Sequence, residues 1–328
     1  AATFNGNVTF AKGTLENSGT IDLGTLATAS RNAATLTVDA ASFNEQLFSG
    51  DRLVKIAGTG TDETSLTLNV SDAETVKLVE SGFLDNNGAV VNTGLSGATA
   101  TTMAVTVKGQ KGTIAAAAYD AAAQFKSVNL NFDELTVGKN ADAFDIKGAR
   151  SLVTVTKSLS HAKAADKDIK VVSGGTLNLF TDTSGSVTAK SITLNAGGGD
   201  GGNLYVKGKW ELPSLTVTSG SANLTDATVT LKQDAVLTTT KTNGVLTLNS
   251  SSLDATKGKL KLDVSGAALE TGSKFIATGS QLYTISGTGE SATVTPTNAS
   301  NGNTAPQNAF TSTDGSGILE IKDAASGT

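Results

Sequence analysis

Histidine and cysteine, two of the side chains most used for acid–base and nucleophilic chemistry, number one and none in this chain. His161 is the one histidine among 328 residues. It sits in Ser160-His161-Ala162-Lys163, and an imidazole next to a hydroxyl is the pairing that activates a serine nucleophile. No Gly-x-Ser-x-Gly turn accompanies it, so a surface histidine is expected. Paired carboxylates offer a second chemistry, because cleaving a glycosidic bond needs two carboxyl groups flanking it. The candidate pairs are Asp166 with Asp168, and Asp133 with Glu134. Asp166 and Asp168 lie among Lys163, Lys167 and Lys170, the composition of a solvated, charge-balanced surface. Asp133 and Glu134 are adjacent, and adjacent residues of a strand project to opposite faces. Sharing one site is therefore not expected of them.

Oxygen-ligand chemistry has two weak candidates. Gly197-Gly198-Gly199-Asp200-Gly201-Gly202 resembles one unit of a glycine/aspartate calcium repeat. Such repeats build Ca²⁺ cages by stacking successive turns, and a single copy cannot supply a stack. Asp200 is thus a weak metal candidate, and a loop between strands is the expected role. Asp85-Asn86-Asn87-Gly88 has the start of an EF-hand loop without its later acidic positions. There are no cysteines, which excludes disulfides and Cys-ligated metals. Trp210, in Lys207-Gly208-Lys209-Trp210-Glu211-Leu212-Pro213, is the one tryptophan. It reads as a packed rung end, with an exposed contact residue as the alternative. The expectation is a non-enzymatic protein without cofactor, Ca²⁺ being the one ion weighed.

Composition narrows the partners. Aromatics make up 5 % and charged residues 17 %, with 36 Gly and 3 Pro. A core with so few rings must be built from Leu, Val, Ile and Ala, which suits thin layers packing like on like. Net charge is −5 with no cluster of Lys and Arg, so a nucleic-acid partner is not expected. No run of about 18 apolar residues offers a transmembrane helix.

The elements that must position these residues are short strands. From 176 to 266, aliphatic pairs around a polar residue recur, as in Leu177-Asn178-Leu179, Ile192-Thr193-Leu194, Leu204-Tyr205-Val206, Leu215-Thr216-Val217, Val229-Thr230-Leu231, Leu246-Thr247-Leu248 and Leu260-Lys261-Leu262. Each is a period-2 signature, and Gly, Ser, Asn and Asp lie between them. Strand, small-residue corner and strand make a solenoid rung. At about 20–25 residues per rung the chain supplies roughly 13–16 rungs. An antiparallel β-sandwich is the alternative.

The N-terminal third mixes strand signals at 8–10, 19–23, 34–38 and 65–70 with helical ones. Ser71-Asp72-Ala73-Glu74 has capping-box form, leading a helix to Gly82. Ile114, Ala118, Ala121 and Phe125 share one face of an Ala-rich helix, and a weaker piece runs over 41–48. The expected fold is mainly β, a solenoid with short helical insertions. The expected divisions are 1–126, 127–285 and 286–328. Further strand signals fall at 128–132, 135–137, 144–146 and 152–155. Residues 286–316 are polar and turn-rich and read as a loop. Gly317-Ile318-Leu319-Glu320-Ile321 then forms a strand able to pair within the chain or with a neighbour, making Ile318, Leu319 and Ile321 candidate assembly residues.

Gly202-Asn203-Leu204-Tyr205-Val206-Lys207-Gly208 and Ser214-Leu215-Thr216-Val217-Thr218-Ser219-Gly220 resemble rungs of bacterial autotransporter adhesin passengers. The stretch 65–76 resembles repeats of surface-layer and related β-rich surface proteins. The resemblance implies a right-handed parallel β-helix, export to the bacterial cell surface, and self-association, adhesion or biofilm formation. Partners would be further copies of the chain, or host or bacterial surfaces. Ala1-Ala2-Thr3-Phe4 fits a mature start after signal cleavage, or a fragment boundary. Without the membrane barrel of autotransporters, the chain reads as a passenger or as a self-assembling mature protein. A polysaccharide-active β-helix enzyme is the remaining alternative.

Overall fold

The computed structural model describes residues 2–3, 8–11, 21–22, 35–40, 54–55, 64–70, 75–78, 103–114, 118–120, 127–138, 143–149, 151–195, 201–261, 267–278, 283–286, 293–296, 310–312 and 314–322. The regular elements among them are all strands. Contacts divide the chain into two units, Ala1–Lys163 and Ala164–Thr328. Within each unit the strands stack in parallel as a β-solenoid, which sets aside the antiparallel sandwich. One antiparallel pairing occurs among the described residues, Tyr283–Ser286 with Thr293–Pro296. The stretch 286–316, expected to be a loop, therefore contributes two strands, Thr293–Pro296 and Phe310–Thr311.

In the first unit, Val8–Ala11, Thr35–Ala40, Thr64–Val70, Met103–Ile114, Ser127–Val137 and Ser151–His161 form one stack. Like residues meet in register: Leu36 opposite Leu66, Leu66 opposite Val105, Leu130 opposite Val153. Such a stack repeats one environment from turn to turn, so each neighbour pair contributes similarly. The expected helix over 71–82 is a strand at Thr75–Leu78, held parallel to 111–114. The Ala-rich helix is likewise a strand at Ala118–Asp120, paired with Ala143–Asp145. Long-range parallel pairing overrides local helix propensity at both places. The rest of those two segments, and the piece at 41–48, lie outside the described residues.

In the second unit the chain turns around three faces. Face I holds Thr176–Phe180, 202–206, 220–225, 244–249, Ala267–Leu269 and Phe310–Thr311. Face II holds Gly185–Thr188, 208–212, 227–231, Ser252–Asp254, Lys274–Thr278 and Ile318–Lys322. Face III holds Ile169–Val172, Ser191–Asn195, 214–217, 236–239 and Lys259–Lys261. The 18-residue strand Ser214–Leu231 alone wraps all three. Turn length follows from register. Leu177 lies opposite Leu204 (204 − 177 = 27), Leu204 opposite Ala222 (222 − 204 = 18), and Ala222 opposite Leu246 (246 − 222 = 24).

Alternation places every second residue inside. On face III, Ile169, Ile192, Leu215 and Leu237 form one buried ladder. On face I, Leu179, Val206, Leu224, Leu248 and Leu269 form another. Burying each such side chain is worth about 1.5–3 kcal/mol before the entropy of ordering it. The neighbouring face III ladder runs Val171, Leu194, Val217 and Thr239. Thr239 is 0 % exposed, and its hydroxyl has no hydrogen-bond partner. Thr239→Val keeps the shape and removes the buried hydroxyl. It is expected to stabilise the second unit by about 1–2 kcal/mol, read as a higher urea midpoint.

The corners carry the polar groups that a turning backbone must satisfy. Between faces I and II, hydroxyls are buried: Ser251 Oγ accepts from the Ala227 amide at 2.9 Å and donates to the Asn249 carbonyl at 2.7 Å. Ser273 Oγ, one turn on, donates to the Leu248 carbonyl at 2.9 Å. Between faces III and I, glycines stack instead: Gly202, Gly220 and Gly244 lie in register.

Candidate functional site

His161 occupies the inward side of Ser151–His161 and is 2 % exposed. A surface histidine was expected. Strand alternation puts it in line with Val137, inside the stack. Its Nδ1 accepts from the Lys163 amide at 3.0 Å, so the neutral ring carries its proton on Nε2. Ser160 has the opposite parity. Its hydroxyl shares a 3.2 Å hydrogen bond with Thr136 across the neighbouring turn. The structure does not bring this serine and histidine together.

Asp133 and Glu134 were expected to point to opposite faces. Both are half-buried on the outside, because Phe132 and Leu135 are both inward and the chain bulges between them. They turn instead to opposite neighbours. Asp133 accepts from Lys157 at 2.8 Å and from Thr156 at 2.6 Å, in the following turn. Glu134 pairs with Lys111 of the preceding turn at 4.0 Å. The Lys157 ammonium, then the Thr156 hydroxyl, hold the Asp133 carboxyl below its ordinary range. Asp168 accepts from Ser191 Oγ at 2.9 Å, whereas Asp166 is exposed. Each of these carboxylates other than Asp166 therefore has a neighbour-turn partner.

Trp210 is 1 % exposed. This corrects its alternative reading as an exposed contact. It faces inward on face II, where its Nε1 donates to the Lys207 carbonyl at 3.0 Å. The residue in register with it is Gly185. A Cβ on Gly185 would stand 2.5 Å from the indole ring, so the ring fills the volume that the glycine leaves empty. Above it, Ser184, Ser186, Lys209, Glu211 and Thr230 rim a shallow cavity of about 430 Å³. Asp200 and the 85–88 segment lie outside the described residues. Gly201 and Gly202 are described, and they lead into the strand Gly202–Leu212. Among the described residues there is no group of three or more acidic or histidine side chains placed to hold a metal ion. No helix there is long and apolar enough to cross a membrane.

The large exposed apolar side chains among the described residues fall in two places. Phe180, Tyr205 and Val245 lie on face I, and Ile318 and Ile321 lie on the strand Ile318–Lys322. That strand pairs in parallel with Lys274–Thr278, with Leu319 opposite Phe275 and Ile321 opposite Ala277. Leu319 and Ile321 thus continue the inward ladders of face II, yet Ile321 is 43 % exposed because no further described turn covers it. Phe310 closes edge-on against Phe275, with ring centroids 4.9 Å apart. Lys274 and Glu320 form an ion pair across the last two turns, and it holds the Glu320 carboxyl below its ordinary range. Among the described residues, the outer edge of Ile318–Lys322 has no strand partner.

The sequence reading singled out Ile318, Leu319 and Ile321, but passed over Phe180 and Tyr205. Their signal was parity. In Thr176-Leu177-Asn178-Leu179-Phe180 and Asn203-Leu204-Tyr205-Val206 the rings share the outward register of the polar residues. Scans against protein-family models, curated proteins and solved structures return no match to the chain.

Proposed function

We propose that this chain is a non-enzymatic, extracellular bacterial surface protein that associates with copies of itself through the strand Ile318–Lys322. The carrying observation is the last described strand, Ile318–Lys322. Among the described residues it pairs on one edge, and Ile318 is 55 % and Ile321 43 % exposed. A strand edge with unpaired amides and carbonyls beside apolar side chains is a template for another strand. A strand of a second copy with the same in-out alternation would continue the inward ladders that Leu319 and Ile321 extend. An adhesin passenger acting at a cell surface is the alternative use of the same fold.

Sedimentation velocity and negative-stain microscopy of the purified chain, over a range of concentration and Ca²⁺, test this reading. Concentration-dependent oligomers or fibres are expected. The double variant Ile318→Lys, Ile321→Lys should raise the concentration needed for assembly by about tenfold or more, since desolvating new ammonium groups costs over about 1.4 kcal/mol. Monomers under every condition, or assembly unchanged in the double variant, would overturn it.

A further inference from the structure

Face I of the second unit carries the other exposed apolar cluster, and its surroundings differ from those of the terminal strand. Tyr205 is 40 % exposed and Phe180 37 %. Register places Asn178 and Asn223 directly beside Tyr205 on its two neighbouring strands. Phe180 lies diagonally from Tyr205, one strand across and two residues along, which sets the two Cα atoms roughly 8 Å apart. The two rings therefore share one flat face flanked by amides.

Two amides of this face, Asn223 and Asn203, are held in place. Asn223 Nδ2 donates to Ser221 Oγ at 3.1 Å, and Ser221 Oγ donates to Asn203 Oδ1 at 3.0 Å. The relay leaves the Asn203 NH₂ group free to donate outward. It leaves Asn223 Oδ1 free to accept, and the Tyr205 hydroxyl can do both. Across the outer positions of 176–180, 203–207, 221–225 and 245–249, Lys207 is the one charged residue, in a chain that is 17 % charged.

We propose that this face binds a neutral polysaccharide. A pyranose ring has C–H faces that lie flat on an aromatic ring, and a rim of hydroxyls that donate and accept at once. A ring beside fixed amide donors and acceptors matches both surfaces. Other ligand classes fit less well. A nucleic acid needs several cations along its phosphates, and this face has one. A peptide adding as a strand needs free backbone groups, and the strand that carries Tyr205 is already paired on both sides. A lipid surface needs continuous apolar area, and here amides and hydroxyls interrupt it. Binding at one shallow face is weak for a single sugar, and a polymer that engages several copies gains avidity. The proposal does not require the self-association through Ile318–Lys322.

The test is affinity electrophoresis of the full chain in native gels containing a β-glucan, an α-mannan, a galactan or dextran, with alginate as the acidic control. Retardation by at least one neutral polymer is expected. Tyr205→Ala and Phe180→Ala should each weaken it about tenfold, and Tyr205→Phe should keep most of it. Because both side chains are exposed, thermal unfolding of the variants should match that of the parent chain. Retardation by no neutral polymer, by alginate alone, or undiminished in Tyr205→Ala would overturn the proposal. So would a Tyr205→Ala variant whose sedimentation changes while its retardation does not, because face I would then be a contact between copies. Ile318→Lys, Ile321→Lys should leave retardation intact, which separates this outcome from failure of end-to-end assembly.

Discussion

Replacing Gly220 with alanine is expected to destabilise the second unit by about 2–6 kcal/mol, for the addition of one methyl group. Two separate costs add. Gly220 has φ +95, a conformation that holds an L-residue under strain of about 1–3 kcal/mol. A Cβ there would also press into the carbonyl of Gly202 in the preceding turn. That neighbour is backbone within a hydrogen-bonded stack, so it cannot rotate away, and overpacking of this kind costs about 1–3 kcal/mol more. Gly272 isolates the first cost. Its φ is +65, and the nearest atom to its Cβ is Ser250 Cα at 3.9 Å, so Gly272→Ala should cost only about 1–2 kcal/mol. Stacked repeats need not unfold in one step, so urea midpoints should be read together with amide exchange, which locates the loss. Equal costs at the two glycines would show that turn-to-turn contact at this corner is not what fixes glycine there.

The same corners explain which parts of the architecture were legible beforehand. Segments such as Leu177-Asn178-Leu179 and Leu246-Thr247-Leu248 are strands where their alternation placed them. Alternation reports a half-buried strand whatever its partner. The corners themselves are poorly marked. One residue at positive φ suffices to pass from face I to face II, Gly208 in one turn and Asp226 in the next. The strand Gly202–Leu212 therefore runs through its corner at Gly208 with no cluster of turn residues, and the Thr218–Ser221 cluster within Ser214–Leu231 does not interrupt the strand. The bulge at Asp133–Glu134 was hidden for the same reason: two outward residues between Phe132 and Leu135 break the period without a Gly or Pro. Helix signals at 71–82 and 114–125 misled because capping boxes and alanine spacing are local. Thr75–Leu78 and Ala118–Asp120 are decided by strands tens of residues away. The strand Ile318–Lys322 could be seen because its residues alternate cleanly after a turn-rich stretch. The buried state of His161 and Trp210 depends on the parity of strands whose register only the fold sets.

Trp210 carries the second large expected effect, because it is the largest fully buried side chain described and it has a counterpart in Gly185. Trp210→Ala should cost the second unit about 3–5 kcal/mol, since neighbours on a hydrogen-bonded stack cannot collapse into the space. Gly185→Ala should cost about 1–3 kcal/mol by forcing a methyl group against the indole. If ring and glycine are two halves of one packing arrangement, their costs will not add. In Gly185→Ala with Trp210→Leu, the methyl group occupies space that the smaller side chain vacates. That double variant should recover about 1–2 kcal/mol relative to the sum of Gly185→Ala and Trp210→Leu made singly, which with the parent complete a cycle of four proteins. Circular dichroism serves for all four proteins. In those that keep Trp210, the one tryptophan of the chain, emission reports the second unit alone, and burial predicts a blue-shifted, iodide-resistant signal until that unit opens. Strict additivity would mean that the indole is held by its 3.0 Å bond to the Lys207 carbonyl and by its other neighbours, and that Gly185 is required for some other reason. A coupling of the expected size would tie one tryptophan to one glycine 25 positions upstream (210 − 185), which is one turn of the solenoid.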